Sequence, residues 1–193
     1  MQAEIAKQFA FLREIDQLKS VMRRSPLIDR SRRENSAEHS WHLAMYAVIL
    51  ASYANEPVAL GRVVQMLLVH DIVEIDAGDT PIHDAAGQAD QGEREAAAAQ
   101  RLFGMLPEAQ GREMHALWTE FEAGASADAR FAKALDRLQP LIQNIAAGGG
   151  TWNEFAVSHE QVLERYGPAI EGGAAELWCE AKALVQRHFD HVG

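Results

Sequence analysis

A His-Asp dipeptide, His70-Asp71, breaks into the apolar run Met66-Leu67-Leu68-Val69 and Ile72-Val73, and Glu74 follows one helical turn after His70. An imidazole and two carboxylates on a helix that should be buried need compensation, or they destabilise it. A divalent cation supplies that compensation, and His nitrogens with carboxylate oxygens suit borderline to hard metals: Mn, Co, Fe, Ni, Zn or Mg. The dipeptide alone also fits a plainer arrangement, a helix-end His bonded to a carbonyl with Asp71 paired to an arginine.

Three further features favour the metal. His39 sits in Ala37-Glu38-His39-Ser40-Trp41-His42, at the start of the preceding helix, and the short connection makes that helix a neighbour of the His70 segment. Asp136 is a lone carboxylate in the amphipathic stretch Ala134-Leu135-Asp136-Arg137-Leu138. Asp79 follows Gly78, which lets the backbone turn toward the same place. Other groups have two readings each. His42 faces the same site or packs in the core. His83 and His115 serve a second metal or none, their spacing favouring none. Arg30, Arg32 and Arg33 form a phosphate-attracting rim or a solvated basic loop. Lys133 pairs with a site carboxylate or a surface one. Trp41, Trp118, Trp152 and Trp178 are expected in the core or an interface, and Cys179 as a packed apolar residue.

The elements that must position these groups are helical almost throughout. Apolar residues at Ile5, Phe9, Leu12, Ile15 and Leu18 predict a helix over 3–22. Arg23 to Arg33, with Pro26 and five arginines, breaks the pattern. Asn35 ahead of Glu38 predicts a capped helix over 37–53, stopping before Pro57. The stretch 59–75 is long enough for a buried helix, though its β-branched residues leave a strand open. A loop is expected over 82–91. Helices follow over 92–106, 108–122 and 127–147, the last ended by Gly148-Gly149-Gly150, then 158–165 and 169–188.

The chain has 193 residues and a formal net charge of −10. That size suits one domain with a real core, here 1–193, with a motif-bearing part over about 12–150 and C-terminal helices over about 158–190. An acidic surface argues against binding a nucleic acid polymer, but not against a small phosphorylated substrate, because a metal and local arginines can invert the field inside a pocket. The single cysteine allows no intrachain disulfide. No signal peptide and no membrane-length apolar run is evident, which makes the cytoplasm the expected location.

His39, then His70-Asp71, then the distant Asp136 is the order of the HD superfamily. Arg24, Glu34-Asn35-Ser36-Ala37-Glu38-His39-Ser40, Glu74, Gly78-Asp79 and the run Arg130 to Pro140 make the chain resemble the bacterial 5′-deoxynucleotidase branch of HD hydrolases, and its uncharacterised predicted members still more. The resemblance covers roughly 12–150. It implies an all-α HD-domain bundle with a C-terminal helical extension, and a homodimer. It implies His39, His70, Asp71 and Asp136 as ligands of one divalent cation, Arg24 as a phosphate contact, and Glu74 and Asp79 as catalytic carboxylates. Ser25 stands where those deoxynucleotidases carry Trp, near sugar and base, so the choice of sugar stays open. The implied reaction is metal-assisted, in-line attack of water on a phosphomonoester of a nucleoside, with the acid and base roles of Glu74 and Asp79 open. The alternatives are a phosphodiesterase or pyrophosphohydrolase on another nucleotide, and a non-catalytic metal-stabilised module that binds a nucleotide or a protein.

Overall fold

The computed structural model describes residues 1–82 and 89–192. Helix α1 (Gln2–Glu14) gives way to a 3-10 turn over Ile15–Ser20. The arginine-rich break is not a plain loop. Strand β1 (Met22–Pro26) pairs antiparallel with β2 (Arg33–Asn35), in a small hairpin with Met22 opposite Asn35 and Pro26 opposite Arg33. The expected helix over 3–22 therefore ends early, because the last residues before the arginines leave the helix to enter this pairing.

The hairpin runs straight into helix α2 (Ser36–Leu50). Asn35 caps it as the sequence indicates. The Asn35 side chain accepts from the Glu38 backbone N–H at 2.9 Å, and the Glu38 carboxylate accepts from the Asn35 N–H at 3.2 Å. This reciprocal box satisfies two backbone donors at the start of the helix. Arg32 then forks onto Glu38 at 2.7 and 2.8 Å.

The apolar stretch after residue 59 is helical, not a strand. Helix α3 (Leu60–Val69) buries Val63, Met66, Leu67 and Val69, then tightens to a 3-10 turn at His70–Val73 and the short α4 (Glu74–Ala77). Gly78, at φ 76°, ends it in a conformation that favours glycine. Helices α5 (Gln91–Phe103), α6 (Glu108–Ala123) and α7 (Ala127–Ala146) agree with the expected segments within a few residues. After the glycine turn come α8 (Thr151–Glu154) and α9 (His159–Val192). The sequence suggests two C-terminal helices with a gap before Ala169. Instead the helix runs through Pro168, and the one non-helical residue is Ala174.

Helix α7 is the central element: it packs along α9, α3 and α2. Its apolar residues Phe131, Ala132, Leu135, Leu138 and Leu141 sit in the main core with Leu43, Leu67, Trp152 and Ile170. A second core joins Phe11, Val69, Ile72, Leu102 and Phe103. With no strand among the described residues beyond the hairpin, the fold is all-α. No described helix is long and apolar enough to cross a membrane. Cys179 is exposed, not packed as expected. Trp41 is exposed as well, whereas Trp118, Trp152 and Trp178 are buried.

Candidate metal centre

Helix α2 contributes His39, the 3-10 turn after α3 contributes His70 and Asp71, and α7 contributes Asp136. All four are buried, His39 completely. Ligand atoms of His39, His70 and Asp136 lie within 4.8 Å of one another. His39 Nε2 is 3.1 Å from Asp136 Oδ1, and His70 Nε2 is 3.7 Å from the same oxygen. Asp71 borders the cluster, with Oδ1 2.9 Å from His70 Nε2 and Oδ2 4.0 Å from His39 Nε2. Thus the four residues expected to hold a metal come together from three separate elements.

The donor chemistry fits a cation. His70 Nδ1 donates to the Leu67 carbonyl at 2.9 Å, an atom that can only accept, so the proton of the neutral ring sits on Nδ1. Its Nε2 is buried and makes no hydrogen bond. A buried nitrogen lone pair among carboxylates costs free energy unless something cationic fills the space between them. Burial alone would depress the His70 imidazole, but the Asp71 and Asp136 carboxylates override it and push the ring well above its ordinary range, so the pocket favours a positive charge at Nε2, whether proton or metal ion. Burial likewise opposes the charge on Asp136, yet Arg137, donating at 2.9 Å, and the two histidines pull that carboxyl well below the usual range. Asp71 is lowered too, against burial, by His70 and Arg23.

The other two carboxylates behave oppositely. Burial and the neighbouring Asp71 push Glu74 well above the ordinary range, while Ser36 Oγ donates to its Oε2 at 2.6 Å. Burial also raises Asp79, with the Arg23 guanidinium at 3.4 Å working against it. Both line the cleft above the cluster, with His70, Asp71 and Asp136.

The two arginines of β1 differ. Side chains alternate along a strand. Arg23 and Ser25 turn inward, and Met22 and Arg24 outward. The Arg23 guanidinium is 12% exposed and reaches Glu34 at 3.6 Å, Asp71 at 3.3 Å and Asp79 at 3.4 Å. Arg24 is 55% exposed. It borders the cleft, but its guanidinium meets Glu154 at 3.3 Å. Nothing in the sequence singled out Arg23. The signal that finds it is the strand itself, which places one of two adjacent arginines on each side.

The remaining candidates sort out by position. His42 reaches Gln139, not the cluster. His115 packs against Phe103 and Trp118 on α6. His83 lies outside the described residues. Arg32 is held by Glu38, and Arg33 by Glu154 and the Arg24 carbonyl. Lys133 lines the cleft over the Phe121 ring, 3.7 Å from Glu122, with Arg137 beside it. Thr151, Phe155 and Tyr166 form part of the wall, from a region where the motifs had run out.

Known proteins resemble this chain. Residues 15–178 match the HD domain family. The chain is 31% identical to the Escherichia coli 5′-deoxynucleotidase YfbR over 163 residues, 79% of each chain. It is also 31% identical to the human 5′-deoxynucleotidase HDDC2 over 134 residues, 69% of this chain and 64% of the human one. The chain thus spans just under two thirds of that relative. The crystal structure of a predicted metal-dependent phosphohydrolase from Magnetospirillum magnetotacticum MS-1 superposes with a TM-score of 0.92, at 54% identity, covering 97% of this chain and 93% of that one. Donor cluster, helical frame and relatives agree: this chain belongs to the HD-domain family.

Proposed function

We propose that this protein is a metal-dependent phosphomonoesterase acting on nucleoside 5′-monophosphates, with His39, His70, Asp71 and Asp136 as the ligands of one divalent cation. The observation that carries the proposal is the convergence of buried donor atoms of His39, His70 and Asp136 within 4.8 Å of one another, with Asp71 at their border, at the floor of a cleft. The names of the relatives supply the substrate class. A bound cation there supplies Lewis acidity toward a phosphoryl oxygen and acidity to a water.

The chain's own residues do the rest. Arg23, Arg24, Lys133 and Arg137 line the cleft among six carboxylates, and with a divalent cation held by the floor these four cations would offer a phosphate dianion its direct contacts. Arg23 is the inner contact and Arg24 the outer. Asp79, kept close to Arg23, orients the attacking water and takes its proton. Glu74, anchored by Ser36, lines the same cleft and supports the water network there. Ser25 lines the cleft with a small side chain, so the sugar is read by other parts of the wall.

We take 1–193 as one domain, since α9 packs along α7 and brings Tyr166 to the cleft. We also propose a cytoplasmic homodimer. The outer face of α2, with Trp41 63% exposed and Met45, Val48 and Ile49 beside it, supports the dimer, because such a stripe is seldom left bare.

The test is phosphate release from ribo- and deoxyribonucleoside monophosphates. Metal-stripped protein is supplied in turn with Mn, Co, Mg, Ni and Zn, with Asp71→Ala as control. Release that requires metal and is lost in the variant is the expected result. Silence across the panel with metal bound removes the phosphomonoesterase reading and favours a phosphodiester, a pyrophosphate or a binding role.

A further inference from the structure

We infer that Gln139 is the positioning residue that keeps the His39 ring with Nε2 turned into the metal cluster, and that a chain of hydrogen bonds beginning at the Pro26 carbonyl fixes its direction. The inference rests on the metal reading above. His39 has polar neighbours on both nitrogens: Gln139 Oε1 at 3.1 Å and Glu34 Oε2 at 3.5 Å from Nδ1, Asp136 Oδ1 at 3.1 Å from Nε2. The ring alone does not decide which nitrogen carries the proton. Its surroundings do.

The polarity can be followed atom by atom. A backbone carbonyl only accepts, so Gln143 Nε2, 2.6 Å from the Pro26 oxygen, is the donor there. Gln143 must then present Oε1 to its other neighbour, the Gln139 amide nitrogen, which donates to it. That same nitrogen faces Glu34 Oε1 at 3.1 Å and His42 Nδ1 at 3.2 Å. Turning the Gln139 amide over would set its oxygen against the Glu34 carboxylate and the Gln143 oxygen with no hydrogen between them. Gln139 Oε1 therefore points at His39, Nδ1 carries the proton, and Nε2 keeps its lone pair for the cation. Gln139 is fully buried, and Gln143 and Glu34 nearly so, so water does not substitute for these contacts. Asp136, Gln139 and Gln143 lie at i, i+3 and i+7 of α7, so one helix presents both a proposed ligand and the relay that aims another.

The experiment uses the full chain. In 15N-labelled protein loaded with Zn2+, long-range 1H–15N correlations of the His39 ring should show the proton on Nδ1 and the metal-shifted nitrogen at Nε2. Gln139→Met should weaken Co2+ binding, read by chelator competition, about 10–100-fold, and alter the visible Co2+ spectrum. A His39 proton on Nε2 in the Zn2+ protein overturns the inference, and so does Co2+ affinity in Gln139→Met within about threefold of wild type. If Gln139→Met does not fold, the wild-type ring assignment decides alone. Wild type that holds no Co2+ or Zn2+ overturns the metal reading along with it, whereas equal tight binding by wild type and Gln139→Met overturns only the role of Gln139.

Discussion

At the floor of the cleft the side-chain polar atoms of His39, Gln139 and Gln143 are all buried and all partnered, whereas at its mouth Arg24 and Arg33 share one carboxylate, Glu154, through ion pairs of 3.3 and 3.2 Å on side chains 37–55% exposed. The floor is specified several times over. The mouth is held by contacts that water and salt weaken. A cation needs its donors in place before it arrives, since each misplaced buried donor carries a desolvation cost. A phosphate arriving from water needs cations that can exchange one anionic partner for another. The two regions divide these requirements between them.

The largest effect should come from breaking the floor. His39→Ala or Asp71→Ala should abolish metal retention and lower phosphate release by at least about 1000-fold, read by metal analysis and turnover. The next is a contrast between neighbours. Arg23→Ala leaves Asp71, Asp79 and Glu34 facing one another without their shared cation, and should lower kcat/KM by about 100-fold. Arg24→Ala should cost about three- to tenfold, chiefly in KM. Equal losses at the two positions would erase the distinction between inside and outside on β1. The smallest effect belongs to the mouth itself. Glu154→Gln frees Arg24 and Arg33 and should lower KM about twofold at low salt, with the difference fading as ionic strength rises. Away from the cleft, Trp41→Glu with Ile49→Glu should turn a dimer into a monomer by light scattering while leaving metal binding intact.

The sequence made parts of this molecule readable because charge inside an apolar run is costly and therefore conspicuous. His70, Asp71 and Glu74 stand out against Leu67, Val69 and Ile72, and Asp136 against Leu135 and Leu138, and the structure brings them together. The Asn35 cap was readable for a related reason, since Asn followed three residues later by Glu is local chemistry. Gln139 and Gln143 do not stand out in the sequence, because neutral amides carry no charge and pass for surface residues, although their spacing from Asp136 marks one buried stripe. Arg23 was hidden by its surroundings. Five arginines and Pro26 look like a solvated loop until the hairpin gives the segment alternating sides. The wall from Thr151, Phe155 and Tyr166 depends on α8 and α9 returning to the cleft, a long-range contact that no local pattern encodes.

Pro140 sits inside α7, four residues after Asp136, and lines the cleft. Proline has no N–H, so the Asp136 carbonyl lacks the helical partner that any other residue at 140 would provide, and the ring crowds that same carbonyl. The backbone turn that presents Asp136 is thus one hydrogen bond short, although the helix runs through it without a break. Heat resistance and site shape meet there: replacing Pro140 would return that bond to α7 but would also change a wall of the cleft four residues from the carboxylate beside His39 and His70. For anyone engineering a sturdier form of this protein, the weakest-looking turn of its central helix is the one to leave alone.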